Sequence, residues 1–143
     1  MRFTMKIPCE TCPFRKSNGI RLTQARAKSI AKMMASANGG TFPCHETVKD
    51  DDDGIASPNE IHCAGALICA EKQRNATQMM RIAERLGIYD AQALMQDNPA
   101  ADDVFGSVKE MVVSLAIFKH YAKKETEVKE FEKKGRIKNG NSR

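Results

Sequence analysis

The 143-residue sequence predicts a mainly α fold: a small metal-stapled N-terminal module with a short β element, packed on helices and followed by a long C-terminal helix. Three observations point there. Apolar residues recur at helical spacing in four separate stretches, whereas strict alternation occurs once, near the start. Four cysteines stand at positions 9, 12, 44 and 63, as one close pair and two singles, and each single has a histidine beside it. With 6% aromatic residues and no Trp, the core must be built from Met, Leu, Ile, Val and Ala.

In chain order, residues 2–7 alternate as a short strand would, with Phe3, Met5 and Ile7 on one face, and Pro8 ends it. Cys9 and Cys12 form a knuckle, and Ser17-Asn18-Gly19 is a turn. Thr23 suits the N-cap of a helix from Gln24 to about Ala37, stopped by Asn38-Gly39-Gly40. Its apolar face is Ala27, Ile30, Met34 and Ala37, and Arg26, Lys28 and Lys32 lie off that face. A polar loop with four consecutive Asp residues, 50–53, follows Cys44-His45. A helical stretch then opens at Ala64 and runs, with a break near Asn75, through Met79, Ile82, Ala83 and Leu86 to Gly87. Asp90 caps a short helix over Ala91–Gln96. Ser107 and Glu110 have capping-box spacing and open the longest helix, expected to reach Lys134, with a disordered tail from Arg136. The organisation is one domain over 1–118 and a charged extension with a basic tail over 119–143.

Composition narrows the function classes. A mean hydropathy of −0.49 and the lack of any apolar run near the ~20 residues a bilayer requires predict a protein that does not enter membranes. Residues 1–8 lack the apolar core of a signal peptide, so a reducing cytoplasm is expected. There, paired cysteines more often mean metal or catalysis than disulfides. The net charge of +5 is distributed in blocks. Residues 1–40 carry +7, residues 41–118 carry −7 and residues 119–143 carry +5. Such asymmetry suits a polyanionic partner, although the blocks also neutralise one another within a fold.

The cysteines carry the chemistry. Zinc prefers four tetrahedral thiolate or imidazole ligands, and a C-x2-C knuckle supplies two from one tight turn. Cys9 and Cys12 take that part. Cys44 follows Pro43 in a non-helical stretch, and Cys63 opens a helix, where backbone N–H groups favour a thiolate. Gly65 allows the backbone to come close. The predicted ligands are therefore Cys9, Cys12, Cys44 and Cys63, with His45 or His62 as substitutes for the adjacent cysteine. Cys69 lies six residues past Cys63, about 9 Å along a helix, and reads as a small buried apolar residue. Four cysteines also suit an iron–sulfur cluster, but the tight ferredoxin run is missing, which favours zinc.

Two sharper readings fail on their details. Pro8-Cys9-x-x-Cys12 with Cys44-His45-Glu46 contains the pieces of a zinc deaminase, but in reversed order, and Cys63 closes the position that water needs. Fitted to an EF-hand with Gly54 at its sixth position, the acidic loop has Lys49 at the first ligand position and no flanking helices.

At these motifs the chain resembles a family of small, functionally uncharacterised proteins of phages and bacteria that share C-x-x-C-P-[FW]-R, then C-H, then C-A-G. Here those are Cys9 to Arg15, Cys44-His45 and Cys63-Ala64-Gly65. The resemblance covers roughly the first half of the chain. It implies that the four cysteines and His45 belong to one site and that the origin is a phage or prophage; it does not decide the metal.

The expected function is a non-enzymatic metal-binding module that binds a macromolecule. Nucleic acid is the first candidate, contacted through Arg15, Lys16, Arg21, Arg26, Lys28 and Lys32 with the basic tail. With few aromatics to stack on bases, phosphate contact fits better than base readout. The alternatives are a factor that docks on a host protein, or an iron–sulfur or thiol redox protein.

Overall fold

The apolar run after Cys63 forms the centre of the molecule. A computed structural model of the chain describes residues 2–36, 42–48, 59–96 and 98–115. Its helices are α1 (Gln24–Ala35), α2 (Ala64–Lys72), α3 (Gln78–Arg85), α4 (Ala91–Gln96) and a fifth, α5, helical over the described residues 108–115. In α2 every residue from Ala64 to Ala70 is buried, as expected of a helix that is apolar on all sides. Ala27, Ile30 and Met34 of α1, Met80 and Ala83 of α3, Leu94 of α4 and Met111 of α5 join it in one core.

The helix boundaries follow capping chemistry. Thr23 accepts a hydrogen bond from the Arg26 N–H, and Thr77 does the same for Met80. Asp90 accepts from Ala93 N–H at 2.9 Å. The Ser107 hydroxyl oxygen accepts from Glu110 N–H at 3.0 Å, while the Glu110 carboxylate accepts from Gly106 N–H at 2.7 Å. The expected long helix therefore opens as predicted, but its course past residue 115, and the 119–143 extension, lie outside the described residues. The break foreseen near Asn75 separates α2 from α3. Arg74 sits there at φ 54°, a left-handed position that ends α2 with Asn75 N–H donating to Ala70 O.

Two expectations are corrected. Residues 2–7 do not form a strand; only Arg2 is bridged, in parallel to Ile61. Of the apolar residues read at helical spacing in α3, Ala83 is buried, whereas Met79, Ile82 and Leu86 are exposed, and Met80 joins Ala83 in the core. All five lie on one broad apolar arc of α3, and the core covers only its Met80–Ala83 edge.

Short extended segments assemble around the N-terminus of α2. Pro43 bridges His62 in antiparallel fashion, with Cys44 N–H donating to Ile61 O at 2.8 Å and Cys63 N–H to Phe42 O at 2.9 Å. Arg15 bridges Val104, and Lys16 N–H donates to Asp103 O at 2.7 Å. The Arg15 guanidinium is paired with the Asp103 carboxylate at 2.7 Å, which also accepts from the Ser17 hydroxyl at 2.8 Å. Burial alone would raise the Asp103 pKa, but the hydrogen bonds from Arg15 and Ser17 outweigh it and hold the carboxyl below its ordinary value.

A depressed folded-state value contributes stability above the unfolded pKa of about 3.9, lost as the pH falls through the folded value. Asp103→Asn is expected to cost about 1 kcal/mol at neutral pH, since the pair is partly exposed, and nothing in strong acid. Denaturant melts at both pH values check this; an equal cost in acid would contradict it.

Candidate metal centre

Three chain segments bring the cysteines together. The knuckle is a tight turn in which Cys12 N–H donates to Cys9 O at 3.1 Å and Arg15 N–H to Cys12 O at 3.1 Å. Cys44 opens a second turn: Thr47 N–H and the Thr47 hydroxyl both donate to Cys44 O, at 2.9 and 3.0 Å. The Thr47 hydroxyl oxygen in turn accepts from Ile61 N–H at 3.2 Å, which ties this turn to the segment that leads into Cys63. Cys63 is the N-cap of α2 and makes no side-chain capping bond, so its thiol is left for the cluster.

Within that frame the Cys12 and Cys63 sulfurs are 3.5 Å apart and fully buried. The half-buried Cys9 sulfur lies 3.7 Å from His45 Nδ1, with the Cys44 sulfur close by. Cys9, Cys44 and His45 have ligand atoms all within 4.8 Å of one another, a group that could hold a metal ion. Cys12 and Cys63 are not part of that group; Cys12 raises the Cys9 thiol pKa electrostatically. All five cysteines are free thiols.

Electrostatics makes this a poor place for anions without a cation. The Cys9 thiol is pushed far above its ordinary range by burial first, then by Cys12 and Cys44. Cys12 is raised by its hydrogen bond to Cys63 and by burial, against a smaller pull from Phe14 N–H. A bound cation reverses the balance: it neutralises thiolates that otherwise repel one another, and metal binding then releases their protons. The donor set, mostly sulfur with one imidazole, suits a soft or borderline ion such as zinc rather than calcium or magnesium.

The histidines part company. Besides Cys9, His45 has Thr11 Oγ1 at 2.9 Å from its Nε2, so both ring nitrogens are engaged. His62 stacks on Phe3 with ring centroids 4.0 Å apart, and burial lowers its pKa to about 4, keeping it neutral. His62 and Cys63 are consecutive in an extended segment, so they face opposite ways. Cys69 is buried in the core, raised to about 12 mainly by that burial, and Gln73 Nε2 donates to its sulfur at 3.5 Å.

Of the six predicted phosphate contacts, Arg15 is taken up by Asp103, and Lys16 donates to Asp102 O at 3.2 Å. Arg21, Arg26, Lys28 and Lys32 are exposed. At 100° per residue, Lys28 and Lys32 share one side of α1 and Arg26 lies on another. Thr11, Thr47 and Asp103 were not singled out from sequence. Thr47 had one local signal, a hydroxyl three residues past Cys44 where a turn would need it.

The model of a family of unknown function, DUF6283, matches residues 4–128, and the chain belongs to that family. No curated protein and no solved structure matches it. Among the described residues no helix is long and apolar enough to cross a membrane.

Proposed function

We propose that this member of DUF6283 is a metal-stapled module in which Cys9, Cys12, Cys44 and Cys63 hold one structural ion, zinc before an iron–sulfur cluster. What supports the proposal is the close Cys12–Cys63 sulfur pair together with the Cys9, Cys44 and His45 group, all of whose thiols are free and come from three segments far apart in sequence. Four thiolates fill a tetrahedral site and leave no position for a catalytic water. His45 then serves from outside, its Nδ1–H donating to the Cys9 thiolate while Thr11 fixes the ring, a common arrangement around metal ligands. X-ray absorption at the zinc edge is expected to show four sulfur neighbours at about 2.3 Å. One nitrogen at about 2.0 Å would put His45 in place of a cysteine.

Through its exposed surface the module binds a macromolecule, nucleic acid first, in a reducing cytoplasm (the host's, if the protein is phage-encoded). Arg15 and Lys16 are engaged by residues 102–103, so the proposed contact centres on α1, where the exposed Lys28 and Lys32 share one side. Two phosphate contacts on duplex DNA give a slope of about −1.8 in log K against log salt. Lys28→Gln or Lys32→Gln should reduce that slope by about 1 in fluorescence anisotropy titrations. Salt-independent binding would rule this partner out. The exposed apolar row Met79, Ile82 and Leu86 on α3 supports a second reading, in which the partner is a host protein.

A further inference from the structure

Beside the thiol cluster, α1 and the Cys44 turn line an open cleft of about 430 Å³. From α1 come Arg26, Ser29, Ile30 and Met33, spaced so that they share one side of the helix. Phe42, Pro43 and Val48 form the facing wall, and His45 closes the end nearest the cysteines. The volume lies in the range of small-molecule sites, which are typically apolar with a few placed polar groups.

The charge that the described lining residues bring is positive. Arg26 is the charged residue among the described lining residues, and it has no ion-pair partner among the described residues. It stands in the first turn of α1, where helices favour Asp or Glu, and that turn contains no acid. Its charge therefore adds to the positive end of the helix rather than offsetting it. The Ser29 hydroxyl is one turn away on the same side. His45 has both nitrogens engaged by Cys9 and Thr11, so it contributes ring surface and not a free donor.

We propose that this cleft is a binding site for a small organic anion, a carboxylate or phosphate monoester with a flat apolar body. The acid group pairs with Arg26 and accepts from Ser29, and the body lies between Ile30 and Met33 on one side and Phe42 and Val48 on the other. The site requires the folded chain and goes beyond the metal reading.

The test is a ¹⁵N NMR titration of the full chain as purified, with metal content measured on the same sample. The probes are phenylacetate, phenyl phosphate and the neutral phenylacetamide. Saturable shifts confined to Ser29, Met33, Phe42, His45 and Val48 are expected for at least one acid, and the stronger of the two identifies the head group. Arg26→Gln should weaken the acids about tenfold or more and leave the amide unchanged, with Arg26→Lys in between. Equal binding of amide and acid, or shifts centred on Lys28 and Lys32, would overturn the proposal. Failure of the titration on a metal-loaded sample counts against the cleft alone, whereas a folded, metal-free sample counts against the staple.

Discussion

Cys63→Ser is expected to abolish stoichiometric zinc binding and, with it, the cooperative thermal transition of the chain. Cys63 is nearly inaccessible, has its sulfur 3.5 Å from that of Cys12, and stands where α2, the most buried helix, begins. Structural zinc contributes about 10–16 kcal/mol of apparent binding free energy in small modules. Domains of this size have only about 5–15 kcal/mol of net stability, so losing a thiolate ligand removes most of what holds the chain folded. Three segments that otherwise meet through isolated bridges and short turns then have no common anchor. Cys69→Ala is the control. It trims a core thiol at a cost of about 1 kcal/mol and leaves one zinc per chain. Circular dichroism melts with metal analysis separate the two. A Cys63→Ser protein that keeps its zinc and its melting temperature would contradict the ligand assignment.

Gly65→Ala is the second large effect, and it removes no ligand. A Cβ at Gly65 would stand 2.5 Å from the Cys12 sulfur and 3.0 Å from the Phe14 Cβ. Phe14 is fully buried and edge-on to Phe42, with ring centroids 5.2 Å apart, so it has little room to retreat. The knuckle must therefore move away from α2. A loss of about 3 kcal/mol is expected, at the upper end for an inserted core methyl, together with a zinc affinity at least about tenfold weaker in a chelator competition. Gly87→Ala provides the contrast. Gly87 has φ 69° with open space around it, so an added methyl costs about 1–2 kcal/mol in backbone strain and leaves zinc binding intact. If Gly65→Ala matched Gly87→Ala in both readouts, close approach at the cluster would have no role.

The chemistry of the site was more legible than its surroundings. The knuckle, the single cysteines, Gly65 and the caps at Thr23, Asp90 and Ser107 are local signals, because each depends on residues within one turn. What positions Cys44 beside Cys63 was hidden. The bridge between Pro43 and His62 is one residue long, and it starts from a proline that argues against a strand. The alternation over residues 2–7 was real, yet only Arg2 finds a partner, so pattern without pairing made no strand. The partner of one basic N-terminal residue was hidden for a similar reason. Arg15 has its carboxylate 88 residues away, and no local pattern shows that Asp103 will use it.

The most direct test of the account is to purify the protein anaerobically, record its visible spectrum, and measure zinc, iron and sulfide per chain. One zinc per folded chain and no visible absorption is the predicted result. Iron with sulfide and a brown colour would replace zinc by a cluster on the same thiols, and a folded chain holding no metal would contradict the staple itself.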